Sequence, residues 1–227
     1  MGYGLKGAPA TYQRLADLLL TGLQFEICQA FLDDIIVYGA TFEQTCERLQ
    51  RVFDRVEAAN LKLKPKKCRL FADQVKFLGF IVSRDGISVD PEKTQVIDRW
   101  PVPRNVSEVR TFTVMCSYNR RHIRGFAEMA KPLYDLTNKG KKFEWGEQQQ
   151  AAFEQLKRCL VSAPLLASPI DGGLYWLDTD ASSHSLSAIL QQSQNGVIKV
   201  ICYASRILQP AERCYCSTKL ELLAEWQ

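Results

Sequence analysis

Apolar residues fall at helical spacing in GAPATYQRLADLLLTGL, at Tyr12, Leu15, Leu19 and Leu23, with Pro9 near the start and Gly22 near the end. This pattern predicts a first helix. Two short β-prone runs follow, FEICQAF and IIVYG, joined across Leu32, Asp33 and Asp34. They predict a hairpin that carries two adjacent carboxylates at or near its tip. Thr41 and Gln44 have the spacing of a capping box, and Leu49, Val52, Phe53 and Val56 continue it as one face of a second helix. The stretch QVKFLGFIVSRDGISVD predicts a pair of strands with a turn at Asp85 and Gly86. The opening 90 or so residues are therefore expected to be mixed α and β.

The pattern then turns helical. Asp90 is placed to cap a helix with Pro91 at its first position and Pro101 as its stop. Ser107 is the expected cap of EVRTFTVMCSYNRRHI, and Ala152, Phe153, Leu156 and Leu160 form the apolar face of EQQQAAFEQLKRCL. SAPLLASPIDGG is loop-like and a candidate domain boundary. Beyond it, LYWLDTDAS, SAILQQS and VIKVICYAS read as three strands, with Asn195 and Gly196 as turn residues, and STKLELLAEW reads as a closing helix. Three strands and a helix make an incomplete α/β domain. The sequence contains no internal repeat and no low-complexity segment.

Composition narrows the class. With 227 residues, 46% of them hydrophobic, the chain can bury real cores. No run approaches the roughly 20 apolar residues of a bilayer span, and the N-terminal residues lack a signal-peptide layout, so no membrane partner and no secretion are expected. The eight cysteines are scattered without a CxxC pair, which argues against zinc and for thiols in a reducing compartment. Net charge is +4, concentrated in Lys62, Lys64, Lys66, Lys67 and Arg69, in Arg120, Arg121 and Arg124, and in Lys139, Lys141 and Lys142. Such clusters suit a phosphate backbone, although a basic run taken alone is more often an ordinary solvated face.

Two ionised carboxylates side by side repel each other and need an external partner. Asp33 and Asp34 could share a divalent cation, and Asp180, at a strand end, could form a second site with Glu221 on the closing helix. Mg²⁺ prefers oxygen ligands and keeps several waters, and paired Mg²⁺ ions serve to make or cut phosphodiester bonds. Asp-Asp at a hairpin is also plain turn chemistry, so the residues alone leave both readings open.

A resemblance discriminates between them. YGLKGAPATYQRLAD, FLDDIIVYG, LKLKPKKCRLFADQVKFLGFIVSRDGI, SYNRRHI, KPLYDLTNKGKKFEW, AFEQLKRCL, TDASS and KLELLA resemble, in order and spacing, the reverse transcriptase and ribonuclease H region of gypsy-type long-terminal-repeat retrotransposon polyproteins. The resemblance covers essentially the whole chain. It implies an α+β fold made of the C-terminal part of a polymerase palm (1–88), a helical thumb (89–130), a connection (131–169) and the N-terminal half of an RNase H-like domain (170–227). Asp33 and Asp34 match the metal-binding palm signature, and Asp180 and Glu221 match two RNase H metal ligands. Tyr3 and Gly4 match the stretch beside the incoming nucleotide. Phe77, Leu78 and Gly79 match the segment that grips the primer end. Lys62, Lys64, Lys66, Lys67, Arg120 and Arg121 become expected template-primer contacts.

The implied cofactor is Mg²⁺ or Mn²⁺. The implied partners are RNA template, DNA primer, RNA-DNA hybrid, dNTP and the rest of the polyprotein, inside the cell, in cytoplasm or virus-like particles. By the same resemblance the fingers and the strand with the third polymerase aspartate would lie upstream of this sequence, and further RNase H carboxylates downstream. Within the motifs, Phe112, Thr113 and Val114 replace the family's Phe-Leu-Gly, Asn119 replaces its second tyrosine, Ser185 and Ser187 replace glycines, and Gly2 replaces a proline. Serine would cost about 1 kcal/mol at each of those two positions if positive φ were required there. The expectation is a region of an RNA-directed DNA polymerase that is inactive as this chain alone. The alternative is a catalytically inactive remnant that binds RNA or hybrid through its basic surface.

Overall fold

The computed structural model describes residues 4–226, in two compact units divided between Phe77 and Leu78. Tyr3 and Gly2 lie outside the described residues.

In the first unit α1 (Ala8–Leu19) precedes the antiparallel hairpin of β1 (Cys28–Phe31) and β2 (Asp34–Val37). α2 (Phe42–Ala58) follows, then a 3-10 turn at Pro65–Lys67 and β3 (Gln74–Phe77). Helix and hairpin form where expected, and the face read for the helix is buried in its second half, with Leu23 in the core and Leu19 packed against it. Tyr12 and Leu15 are exposed, while Ala16, Leu20 and Leu23 pack with Ile27, Cys28, Ala30, Val52 and Val56. Thr41 caps α2, its Oγ1 accepting the Gln44 N–H at 3.2 Å. The return arm differs from a capping box, since Gln44 Oε1 accepts the N–H of Ala40, one residue upstream of the cap, at 2.7 Å.

The second unit opens with a hairpin of β4 (Phe80–Ser83) and β5 (Gly86–Val89). The stretch read as two strands thus contains three, because Leu78 and Gly79, with φ of 49° and 75°, make a further turn after β3. The turn read at Asp85 and Gly86 falls one residue earlier, since Ser83 pairs with Gly86.

Four helices follow: α3 (Pro91–Asp98), α4 (Val106–Tyr118), α5 (Phe126–Asp135) and α6 (Glu147–Val161). Asp90 caps α3 as read, its Oδ1 accepting the Glu92 N–H at 3.0 Å. The cap of α4 is Asn105 rather than Ser107. Asn105 Oδ1 accepts the Glu108 N–H at 2.9 Å, and Glu108 Oε2 accepts the Arg104 N–H at 2.7 Å, so the carboxylate at the third helical position selects the start. Ala152, Phe153, Leu156 and Leu160 are buried as their spacing predicted, against Ile97, Val109, Phe112 and Leu133.

A sheet in the order β6 (Tyr175–Ala181), β7 (Ser185–Gln194), β8 (Val197–Ile207) and the helix α7 (Ser217–Trp226) complete the unit. Leu220 and Ala224 of α7 pack with Leu186 and Leu208, and Ala181 joins them. Ser185 and Ser187 lie within β7 with no positive φ, so the anticipated backbone cost of replacing glycine does not arise. No described helix is long and apolar enough to cross a membrane.

Candidate functional site

The first site is built on the β1–β2 hairpin. Phe31 pairs with Asp34, which leaves Leu32 and Asp33 as a two-residue turn. Leu32 has φ of 51°, an uncommon conformation for a branched side chain, and it is held by α1. Gln13 Oε1 accepts the Leu32 N–H at 2.7 Å, and Gln13 Nε2 donates to the Ala30 carbonyl at 3.3 Å. The same Nε2 donates to Asp17 Oδ1 at 2.9 Å, which fixes the rotamer. At its base the hairpin is tied by Tyr38, whose hydroxyl donates to the Phe25 carbonyl at 3.0 Å and whose own carbonyl accepts from Arg48 at 2.7 Å. Asp33 and Asp34 are both exposed at the free end. Gln13 is a residue that sequence reasoning missed, since nothing sets it apart from the neighbouring polar residues Thr11, Arg14 and Asp17.

The second pair lies on the C-terminal sheet and helix. Asp180 is the next-to-last residue of β6, paired with Ser187, and Glu221 follows the buried Leu220 on α7. The strand and helix pack together, and both carboxylates are exposed. Exposed carboxylate oxygens are suitable donors for Mg²⁺ or Mn²⁺ at either site. Among the described residues no three His, Cys, Asp or Glu side chains gather into a cluster able to hold a metal ion.

Of the expected nucleic-acid contacts, Lys62, Lys64, Lys66 and Lys67 are exposed along the segment around the 3-10 turn at Pro65–Lys67. Arg121 is exposed next to the buried His122. Arg120 is engaged structurally, donating to the Ser205 carbonyl on β8 with its guanidinium 5.9 Å from the Phe126 ring centroid. In the second unit, Leu78 accepts from Tyr118 and Gly79 lies beside Lys93. Gly4 is exposed with φ of 86°, and Tyr3 falls outside the described residues. All eight cysteines are unpaired, with Cys28 and Cys116 buried. Burial pushes the Cys116 thiol up to about 12.

The described residues thus combine a carboxylate-tipped hairpin with a three-stranded sheet against which a helix packs. A family model described as reverse transcriptase (RNA-dependent DNA polymerase) matches residues 1–82. A second, described as an RNase H-like domain found in reverse transcriptase, matches residues 145–226. The chain belongs to the reverse transcriptase and RNase H-like region of long-terminal-repeat retrotransposon Pol polyproteins.

It is 35% identical to the retrovirus-related Pol polyprotein from transposon 412 of Drosophila melanogaster, over 98% of this chain and 18% of that protein. Identity to the corresponding polyproteins of transposons 297 and gypsy from the same organism is 36% and 32%, over 99% and 98% of this chain and 21% and 22% of theirs. The chain thus spans about a fifth of the length of these relatives.

Among solved structures, the foamy viral protease-reverse transcriptase in complex with dsDNA aligns with a TM-score of 0.81 at 23% identity, over all of this chain and 47% of that one. The same viral protein with RNA/DNA hybrid gives a TM-score of 0.80 at 23% identity, over 31% of that chain. These likenesses establish the fold.

Proposed function

We propose that this chain forms part of an RNA-directed DNA polymerase, with Asp33 and Asp34 as two carboxylates of the polymerase site and Asp180 and Glu221 as two of the RNase H site. The observation that carries this reading is the β1–β2 turn, where Gln13 fixes Leu32 in a left-handed conformation and leaves two adjacent carboxylates exposed. A divalent cation at such a site stabilises the negative charge that develops on the bridging oxygens during phosphoryl transfer. The chain's own share is to hold the carboxylates in place and to retain nucleic acid through lysines that contact phosphates without reading sequence. The reading assigns residues 1–88 to palm, 89–130 to thumb, 131–169 to connection and 170–227 to the RNase H-like part, in a protein that works in cytoplasm or virus-like particles.

A second reading, a remnant that binds RNA or RNA-DNA hybrid without turnover, is favoured by the run of exposed lysines Lys62, Lys64, Lys66 and Lys67. One experiment separates the two. The purified chain is assayed for primer extension with Mg²⁺ and with Mn²⁺, next to Asp33→Asn, and for hybrid-duplex affinity at several salt concentrations. The expected result is no extension by this chain alone and an affinity that falls steeply with salt. Extension abolished by Asp33→Asn would show that two carboxylates from this chain suffice. Salt-independent affinity would remove the phosphate contacts from both readings.

A further inference from the structure

Two hydrogen-bond acceptors stand without donors in the interior of the second unit. Asn119 and His122 are each 2% exposed, and Asn119 Oδ1 and His122 Nδ1 are buried atoms that no donor among the described residues reaches. The far end of each group fixes its character. Asn119 Nδ2 donates to the Met115 carbonyl at 3.2 Å, which sets the orientation of the amide, because a carbonyl only accepts. His122 Nε2 lies 3.4 Å from the Ile87 carbonyl, so this nitrogen carries the proton of the neutral ring and Nδ1 is left as an acceptor. Burial keeps the ring neutral at pH 7 by lowering its value below the ordinary 6.5.

The two acceptors project from one side of one turn. Asn119 precedes the 3-10 turn Arg120–His122, and the His122 N–H donates to the Asn119 carbonyl at 3.0 Å. Residues three apart in such a turn have eclipsed side chains. Neither is free to swing out to solvent. The His122 ring is stacked on Phe80 at 5.5 Å between centroids and 14° between planes, and Asn119 is tied back to α4. A buried acceptor left unmet carries its full desolvation cost, so two protons have to be supplied here. A side-chain hydroxyl or a backbone N–H supplies one, whereas a water supplies two. Asparagine also stands at 119 where the family carries a tyrosine, and the exchange removes more side-chain volume than the roughly 30 Å³ that a water occupies in the liquid.

We propose that Asn119 Oδ1 and His122 Nδ1 together bind one buried water, which donates one proton to each. The water closes a hydrogen-bonded chain that runs from the Met115 carbonyl through Asn119, the water and His122 to the Ile87 carbonyl. That last carbonyl also accepts the Leu166 N–H at 2.9 Å. The C-terminal end of α4 is thereby joined to the pairing of β5 with Leu166. The inference does not depend on the polymerase reading.

The test uses the whole 227-residue chain. Nitrogen shifts of the His122 ring at neutral pH are expected to show a proton on Nε2 and none on Nδ1, and the opposite tautomer overturns the inference. Water-to-protein nuclear Overhauser spectra should carry cross-peaks, with the sign of a long-resident water, at the carbon-bound Hε1 of His122 and at the Asn119 side-chain amide. No such peak at either group means that the site is dry and overturns it too. His122→Phe keeps the ring stack and removes one acceptor, so the Asn119 peak should vanish, and Asn119→Leu should remove the peak at His122. A peak that survives in either variant belongs to a water the pair does not share, which overturns the bridge. In urea unfolding the double variant should lose about five-fold less in its unfolding constant than the product of the two single losses, because the first substitution already releases the water. Strictly additive losses overturn the bridge as well. Should either variant fail to fold, the wild-type tautomer and cross-peaks still decide.

Discussion

The Gln13 side-chain oxygen accepts the backbone N–H of Leu32 at 2.7 Å, across 19 residues of sequence. One amide on a helix thereby sets the shape of the turn that exposes Asp33 and Asp34. Gln13→Ala should destabilise the first unit by about 1–2 kcal/mol through loss of the bonds to Leu32 and Ala30. Gln13→Glu keeps an acceptor for Leu32 but cannot donate to Ala30, so its cost should be intermediate. Urea unfolding followed by far-ultraviolet circular dichroism provides the comparison.

Cation binding at the hairpin can be read without turnover. Mn²⁺ should broaden the amide resonances of residues 30–37 selectively, and Asp33→Asn or Asp34→Asn should weaken the effect at least ten-fold. Uniform broadening that survives both substitutions would mean that these carboxylates do not hold the ion.

His122 makes stability depend on pH. Burial lowers its folded value below the ordinary 6.5, with neighbouring Arg121 pushing in the same direction and the Ile87 carbonyl opposing both. The unfolded chain therefore takes up the proton first as pH falls. The contribution of the neutral ring is fully present above about pH 6.5 and is lost as pH falls through the folded value. Thermal midpoints measured between pH 7.5 and 5 should decline over this window, and His122→Gln should flatten the decline.

Gly86 has φ of 142°, and a Cβ there would run into the Leu166 carbonyl oxygen. That carbonyl accepts the Ile87 N–H at 2.7 Å, and the Leu166 N–H donates back to the Ile87 carbonyl at 2.9 Å. Gly86→Ala should break this pairing and cost about 2 kcal/mol or more. Protection of the Ile87 and Leu166 amides from hydrogen exchange should fall with it.

The α6 core supplies the internal comparison. Phe153 is 1% exposed, with its ring 4.6 Å from that of Phe112. Phe153→Ala should cost about 3–5 kcal/mol in denaturant unfolding. A loss below about 1 kcal/mol would mean that the helical layer collapses around the missing ring.

What the sequence determined by itself is what four or so consecutive residues can encode. The apolar face of α6, the Asp90 cap before Pro91, the hairpin around Asp33 and Asp34, and the closing three strands with their helix are all set by local spacing and turn chemistry, and they form as read. The ordered motifs likewise carry the family, because they report shared descent rather than contact. Tertiary structure decided that Ala16 and Leu20 of the first helical segment join the core while Tyr12 and Leu15 stay exposed, that Asn105 rather than Ser107 caps α4, and that Arg120 donates to the Ser205 carbonyl. It also decided that Gln13 and Tyr118 each hold a turn, 19 and 40 residues away. Those bonds join a side chain to a distant backbone group, and every residue has such a group, so nothing in the local pattern marks which one will be met. Only packing, which brings a particular carbonyl or N–H within 3 Å of a particular side chain, makes the choice.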